Sequence, residues 1–184
     1  MAKENKTVYV ILGLLSHEEL TGYEIKKRID LSLSYFWGAG FGQIYPALKL
    51  MEERGLVRKK SDNMGQKLER IKYSITEEGK EKLKSWLSSP VNNEFIKYEI
   101  LLKLFFGSNL SIKQNIDNIS AFKQKHLEQI PILEGYEKEL RKVTEESQDH
   151  LYYLLTVLFG EKIFKAYTEW ADEAINLLKE STEE

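Results

Sequence analysis

Strand-like patterning occurs at one place in this sequence, and it follows three segments with helical patterning. Apolar and polar residues alternate over 56–60 and again over 70–76, as they do in half-buried strands. The polar loop between them contains Gly65, so the pair predicts a β-hairpin with a tip longer than the tightest turns. The chain is therefore expected to be mainly α-helical with one small β-hairpin.

The two helices nearest the N-terminus are predicted from apolar clustering and from a capping signature. Residues 6–16 include an apolar run that is too short to span a membrane, and a short buried helix is the better interpretation. Thr21 is followed three residues later by Glu24. This spacing is the pattern of a capping box at the start of a second helix.

The third helix is expected to begin near Gly42 and to end at Gly55. Pro46 cannot donate to the helical hydrogen-bond ladder, and proline is best tolerated in the first turn, where its missing N–H would have no partner. Glycine just after the last helical residue is a common terminator. A fourth helix is predicted after the hairpin, from a Thr76 cap to Leu87.

The second half of the chain shows helical patterning throughout. We place a boundary at residues 90–93, which separates an N-terminal domain over 1–90 from a helical domain over 91–184. Ser111 is expected to cap a long helix that Pro131 kinks or interrupts.

The last helix, predicted over 149–179, carries two apolar stripes and therefore needs more than one neighbour. A homodimer about a two-fold axis is the economical way to cover both stripes, and a monomeric bundle is the alternative. One stripe comprises Tyr152, Leu155, Phe159, Ile163, Ala166, Trp170, Ala174 and Leu177, and the other comprises Leu151, Leu154, Leu158, Tyr167, Ala171 and Leu178.

Composition excludes several classes of protein. The chain has no cysteine, which rules out a disulfide framework and a thiol nucleophile and fits a reducing, cytoplasmic location. Its three histidines are scattered, so the spacing indicates no helical zinc site. Nucleophile-elbow, Walker A and dinucleotide-binding glycine motifs are absent from the sequence. We therefore expect neither an enzyme nor a metal or cofactor site, and no membrane association.

The predicted hairpin is positively charged. Six basic residues lie within 58–72, against two acidic ones. Three helices followed by such a hairpin are the layout of a winged helix-turn-helix, whose third helix enters the major groove of double-stranded DNA. Basic side chains on the hairpin suit phosphates, while Gln43 and Lys49 on the third helix suit base edges or phosphates. A solvated polar position is the alternative interpretation of Gln43.

Four short runs within residues 8–87 resemble the PadR family of bacterial transcriptional regulators. They are LTGYEI, GQIYPAL, ERGLV and YSITEEG, in this order and at suitable spacings. The second half is similar in pattern and length to the all-helical C-terminal domain of the longer PadR subfamily. The resemblance implies a homodimeric repressor that binds an inverted-repeat operator and responds to a small aromatic or hydrophobic effector.

The resemblance also suggests which residues contact the operator. Tyr45 is equally consistent with a structural anchor. Similar proteins tend to have a serine just before the third helix, whereas this chain has Gly40, Phe41 and Gly42 there; glycine caps nearly as well, but one potential phosphate contact is missing. The candidate DNA-binding residues are Tyr23, Gln43, Tyr45 and Lys49 on the helices and Lys59, Lys60, Lys67, Arg70 and Lys72 on the hairpin.

Aromatic residues are the candidates for effector binding. We expect an apolar pocket between the domains or across the dimer, because an effector that releases DNA must bind two quaternary states differently. Ordinary dimer core is the alternative interpretation of these side chains. The candidates are Phe36, Trp37, Tyr152, Phe159, Tyr167 and Trp170.

One alternative remains for the whole chain, namely a winged-helix module that binds protein without specific DNA binding. The basic hairpin argues against it.

Overall fold

A computed structural model describes residues 5–62, 70–91 and 97–181, and the chain divides into two units, Met1–Glu94 and Phe95–Glu184. The first unit combines four helices with a three-stranded sheet. In chain order its elements are α1 (Thr7–Leu15), β1 (Leu20–Thr21), α2 (Gly22–Ser32), α3 (Phe41–Glu53), β2 (Val57–Asp62), β3 (Arg70–Ile75) and α4 (Glu77–Leu87).

The capping box that the sequence predicts for α2 is confirmed. The Glu24 N–H donates to Thr21 Oγ1 at 3.1 Å, and the Thr21 N–H donates to Glu24 Oε2 at 2.8 Å. Two N–H groups that the first turn would leave unpaired are thereby satisfied. The box places Tyr23, the second residue of α2, in a defined orientation at the helix start.

The start of α3 is within one residue of the prediction, but the reason given for it is wrong. The helix begins at Phe41 with Gly40 as its N-cap, so Pro46 lies in the second turn and not in the first. Pro46 has no N–H to donate to the carbonyl of Gly42, one turn earlier, and Gly42 is exposed, where water can satisfy that carbonyl. The cap therefore determines where this helix begins, and the proline does not.

The end of α3 is as predicted. Gly55 has a φ of +70°, which glycine adopts at little cost. The Gly55 N–H donates to the Glu52 carbonyl at 3.0 Å, and the Leu56 N–H donates to the Met51 carbonyl at 2.8 Å. These two bonds form a Schellman motif, and it turns the chain directly into β2.

The sheet has the order β1–β3–β2, and both pairs are antiparallel. The hairpin is as predicted, but the sequence did not indicate β1, because a two-residue strand is too short for alternation to register. The strand β1 pairs Leu20 with Tyr73 and so ties the hairpin to the start of α2. The largest fully buried side chains among the described residues of this unit are Ile11, Leu12, Ile25, Ile29, Ile44, Leu48 and Met51.

The second unit is helical in its described residues. Ser111 caps α6 through a capping box with Gln114, as predicted. Pro131 interrupts the predicted long helix: α6 ends at Leu127, and a new helix begins at Ile130 with Pro131 in its first turn. The elements are α5 (Glu99–Phe105), a short 3₁₀ turn (Gly107–Asn109), α6 (Ile112–Leu127), α7 (Ile130–Val143) and α8 (Gln148–Glu180).

The buried face of α8 corresponds to neither predicted stripe as a whole. Two of its residues, Leu154 and Ala171, belong to the second stripe, and two others, Val157 and Phe164, are apolar but belong to neither stripe. The remaining two, Glu161 and Thr168, are polar, so a search for apolar residues does not find them. All eight residues of the first stripe lie exposed or half-buried. The buried side chains are Leu154, Val157, Glu161, Phe164, Thr168 and Ala171, and α8 packs through them on α6 and α7. None of the described helices has the length and apolar character needed to cross a bilayer.

Candidate nucleic-acid interface and effector cavity

Three aromatic rings form a stacked group on the surface where α2 and α3 begin. The Phe41 ring stacks on the Tyr23 ring at a centroid distance of 6.4 Å and on the Tyr45 ring at 5.9 Å, with interplanar angles of 16° and 23°. The three side chains are 43%, 66% and 50% exposed, in that order. We call this group the aromatic row. Clustered apolar surface that is held in place and left exposed is typical of a contact site.

Gly22 allows Tyr45 to lie against the start of α2. A Cβ atom at Gly22 would lie 2.6 Å from Cε1 of the Tyr45 ring, which is closer than carbon atoms pack. Tyr45 therefore has an anchored face and an exposed face. The two interpretations of this residue, structural anchor and surface contact, both describe its geometry.

The polar candidates on α3, Gln43 and Lys49, differ in which of their side-chain groups remain available to bind DNA. Oε1 of Gln43 accepts a hydrogen bond from the Gly40 N–H at 3.1 Å and so closes the helix cap, which leaves the side-chain NH₂ as the group that can donate outward. The Lys49 side chain is 80% exposed, and its Nζ lies 4.0 Å from Glu53 Oε1. That pair is at the limit of an ion pair, and such exposed pairs contribute little.

The register of the hairpin divides its basic residues between two faces. Lys60 pairs with Lys72, so their side chains share one face, and Arg58 lies two residues earlier on the same face. Lys59 pairs with Tyr73, which is buried, and therefore belongs to the other face, although Lys59 itself is exposed. Arg58 is thus a basic residue of the Lys60 face that was not among the predicted DNA-binding residues.

Like charges directly opposite each other are unfavourable in a sheet. The Glu19 carboxylate lies 3.9 Å from the Lys60 ammonium and offsets part of this repulsion. An approaching phosphate would offset more of it. Two further candidates cannot be placed in the same way, because Lys67 and the side chain of Arg70 lie outside the described residues.

A cavity of about 160 Å³ lies among α5, α6 and α8. The hydroxyl groups of Tyr98 and Tyr167 are 2.6 Å apart and hydrogen-bond to each other, and burial, followed by this bond, raises the pKa of Tyr167. An apolar cavity of roughly 150 Å³ is large enough for a benzene ring. Every lining side chain is aliphatic or aromatic: Tyr98, Ile100, Leu101, Phe122, Tyr167 and Trp170.

His126 lies behind this cavity in an aromatic cluster. Its ring centroid is 4.4 Å from that of Phe122 and 4.8 Å from that of Tyr167. Burial, followed by the charge of Lys125, lowers the pKa of His126. The lowered pKa favours the neutral imidazole of His126 over the charged form.

The other predicted effector residues do not line this cavity. Tyr152 and Phe159 are 57% and 61% exposed on α8. Phe36 is exposed and Trp37 is half-buried, both in the first unit. Tyr98 was not predicted from the sequence, because the partner that gives it a role, Tyr167, is 69 residues away in the chain. Phe41 was missed because the third helix was expected to begin near Gly42, which left Phe41 in the glycine-rich connection before it, whereas α3 begins at Phe41.

A buried carboxylate lies where α8 packs on α7. Glu161 is 6% exposed, and its Oε1 has no hydrogen-bond partner in the described structure. Burial, followed by the charge of Glu137, raises the pKa of Glu161, and Lys165 at 3.7 Å opposes this effect in part. The Lys165 ammonium also lies 2.9 Å from Glu134, so its charge is shared.

Comparison with known proteins gives matches over both halves of the chain. The sequence model of the transcriptional regulator PadR-like family matches residues 11–85, and the model described as "Virulence activator alpha C-term" matches residues 96–179. The negative transcriptional regulator PadR of Bacillus subtilis is 33% identical over 92% of this chain and 96% of its own length.

Two solved structures are similar over almost the whole chain. The crystal structure of Bacillus subtilis PadR in complex with operator DNA matches with a TM-score of 0.83 and 31% identity, over 96% of this chain and 99% of that one. The structure of Bacillus subtilis PadR in complex with p-coumaric acid matches with a TM-score of 0.74 and 29% identity, with the same coverage.

Proposed function

The chain belongs to the PadR family of transcriptional regulators, and on that premise we propose that it is a homodimeric repressor that binds an inverted-repeat operator and is released by a small aromatic effector. Residues 1–90 are its winged helix-turn-helix DNA-binding domain, and residues 91–184 are its dimerisation and effector domain. Relatives with this fold include one solved with operator DNA and with p-coumaric acid.

The observation that carries the DNA-binding proposal is the exposed start of α3. The aromatic row, the NH₂ group of Gln43 and the ammonium of Lys49 all belong to exposed positions of α2 and α3, and the N-terminal residues of a recognition helix are those that contact base edges. The basic face of the hairpin, with Arg58, Lys60 and Lys72, supplies phosphate contacts.

The exposed face of α8 supports a homodimer. Leu151, Tyr152, Leu155 and Phe159 are between 44% and 61% exposed and recur at helical spacing along a 33-residue helix. An apolar face of this length is covered most simply by the same face of a second copy about a two-fold axis. A dimer presents two recognition helices, as a palindromic operator requires.

The cavity supports an aromatic effector. Tyr167 and Trp170, two of the predicted effector residues, line it together with Tyr98. Its size suits one aromatic ring, and its aliphatic and aromatic wall favours an uncharged molecule over a carboxylate, since burying an unpaired charge is costly.

Tryptophan fluorescence tests the effector proposal. The chain has three tryptophans, so a Trp37→Phe/Trp86→Phe variant leaves Trp170 as the reporter. Phenol is expected to quench it saturably and benzoate is not. Equal quenching by both, or quenching that persists unchanged when Leu101→Phe narrows the cavity and leaves Trp170 as the only tryptophan, would contradict the assignment.

Duplex selection followed by salt titration tests the DNA-binding proposal. The full chain should enrich a palindromic sequence from a random duplex library, and its affinity for that duplex should fall steeply as salt concentration rises, because phosphate contacts release counterions. No enrichment, with an affinity that is flat in salt, would overturn the proposal in favour of a protein-interaction module.

A further inference from the structure

We propose that Phe41 reads the 5-methyl group of a thymine in the major groove of the operator. The inference rests on the proposed function, since it requires that α3 enters the major groove. It assigns sequence readout to a side chain that cannot form a hydrogen bond.

The position of Phe41 is that of a base-reading residue. It is the first residue of α3, and in helix-turn-helix proteins the N-terminal residues of the recognition helix contact base edges. Its side chain is 43% exposed, whereas Ile44, one turn later on the same stripe, is fully buried. A phenylalanine that served only the core would be buried in the same way.

The chemistry of Phe41 selects one group in the major groove. Guanine, cytosine and adenine present hydrogen-bond donors and acceptors there, and only thymine adds a methyl group. A phenyl ring against any of the other bases desolvates polar atoms without replacing their hydrogen bonds, which is unfavourable. A phenyl ring against the methyl buries apolar surface on both sides.

The aromatic row holds the Phe41 ring in place. Phe41 stacks on Tyr23 and on Tyr45, and Tyr45 is itself packed over Gly22. A ring that is already immobilised loses little rotamer freedom on binding. The neighbouring tyrosines also carry hydroxyl groups, which can donate to phosphates and so fix the register of the ring on the duplex.

The test uses the duplex selected by the full chain and removes one methyl group at a time by replacing each thymine with uracil. We expect one position in each half-site at which uracil weakens binding roughly four-fold, as the removal of one buried methyl predicts. The Phe41→Ala variant should bind thymine and uracil duplexes equally, and 5-methylcytosine at that position should bind more tightly than cytosine.

The ratio of thymine to uracil affinity is measured on one protein at a time, so a general loss of affinity in Phe41→Ala does not affect it. If that variant binds no DNA, the inference can be tested with the wild-type protein and a duplex that carries 5-iodouracil at the same position. Irradiation of this complex should cross-link the 5-iodouracil to the peptide that contains Phe41. Selection of a site at which no uracil substitution matters, an unchanged ratio in Phe41→Ala, or a cross-link to another peptide overturns the inference. Failure to select any site instead overturns the proposed function.

Discussion

At the scale of single residues, glycine and glutamine positions prepare the surface of α3. Gly22 makes room for the Tyr45 ring, and Gln43 closes the cap at Gly40 with its oxygen. Gly22, which has no side chain, and Gln43 each contribute both to the fold and to the candidate interface. Suitable substitutions at these two positions should separate the two roles.

Replacing Gly22 with alanine should impair DNA binding more than folding. The added Cβ would meet the Tyr45 ring at 2.6 Å, and the ring, which is exposed, would move away. Loss of the proposed contact between Tyr45 and DNA, worth roughly 1 kcal/mol, should weaken operator binding about five-fold. Gly13→Ala is the matched control, because its Cβ would meet nothing within 4 Å. Equal operator affinities for the two variants, measured by fluorescence anisotropy, would contradict the role of Gly22.

Two substitutions at Gln43 should separate its capping role from its DNA-binding role. Gln43→Ala removes the oxygen that accepts from Gly40 and should lower the free energy of unfolding by about 0.5–1 kcal/mol. Gln43→Glu keeps an acceptor at the favoured capping-box position and should keep that stability, although it loses the NH₂ donor. Both variants should lose operator specificity in binding assays. A stable Gln43→Glu protein with unchanged specificity would show that the amide does not read bases.

At the scale of elements, the parts predicted from sequence are those that depend on neighbours within a few residues. The Thr21 and Ser111 caps, the glycine end of α3 and the alternation of the hairpin are all local signals, and the structure confirms them. Pro46 led to a helix start within one residue of the observed one, but it lies in the second turn of α3 and not in the first.

The unpredicted features depend on residues that are distant in the chain. The strand β1 exists because β3 pairs with it more than fifty residues later. The exposure of Phe41 and the burial of Glu161 depend on how α2 meets α3 and how α7 meets α8, and hydrophobic periodicity carries no information on either. The candidate site was therefore found in outline from its basic and polar residues and from Tyr23 and Tyr45, while Phe41, the central ring of the aromatic row, was not.

The packing of α7 on α8 should be sensitive to pH through Glu161. Folding raises the pKa of this carboxyl. The contribution of Glu161 to the free energy of unfolding is therefore fully present below the pKa of the unfolded state, and it is lost as pH rises through the higher pKa of the folded state. Glu161→Gln should therefore raise the melting temperature at pH 8, by roughly 2–4 °C if the relief is about 1 kcal/mol, and should have little effect at pH 4. The exposed Glu169→Gln is the control. A stabilisation that is the same at both pH values would contradict this explanation.

At the scale of the whole molecule, the proposed repression at a palindromic operator requires two copies of the chain. The basic hairpin and α3 belong to one unit, and the exposed apolar face of α8 belongs to the other. A palindromic operator needs two recognition helices at a fixed separation, so loss of the dimer should reduce operator binding without changing the DNA-binding domain.

Leu155→Glu should dissociate the dimer. The side chain is 53% exposed in the single chain, so the substitution places no charge in the core of one copy, whereas in a two-fold interface it buries two unpaired charges. We expect dimerisation to weaken at least about 100-fold, measured by sedimentation velocity over a concentration series. Leu87→Glu, which changes a 67% exposed leucine on α4, is the control. A Leu155→Glu protein that remains as dimeric as the control would exclude this face from the interface.

The central claim is that α3 reads sequence while the basic face of the hairpin binds phosphates, and the salt dependence of affinity tests it most directly. Dissociation constants are measured across a range of salt concentrations for the selected duplex and for a scrambled one, with wild type, Lys60→Ala and Gln43→Ala. Lys60→Ala should weaken binding to both duplexes. It should also reduce the magnitude of the slope of log affinity against log salt concentration by roughly 0.9 for each phosphate that is no longer neutralised. Gln43→Ala should weaken binding to the selected duplex alone and leave this slope unchanged. Identical behaviour of the two variants on both duplexes would contradict this division of roles.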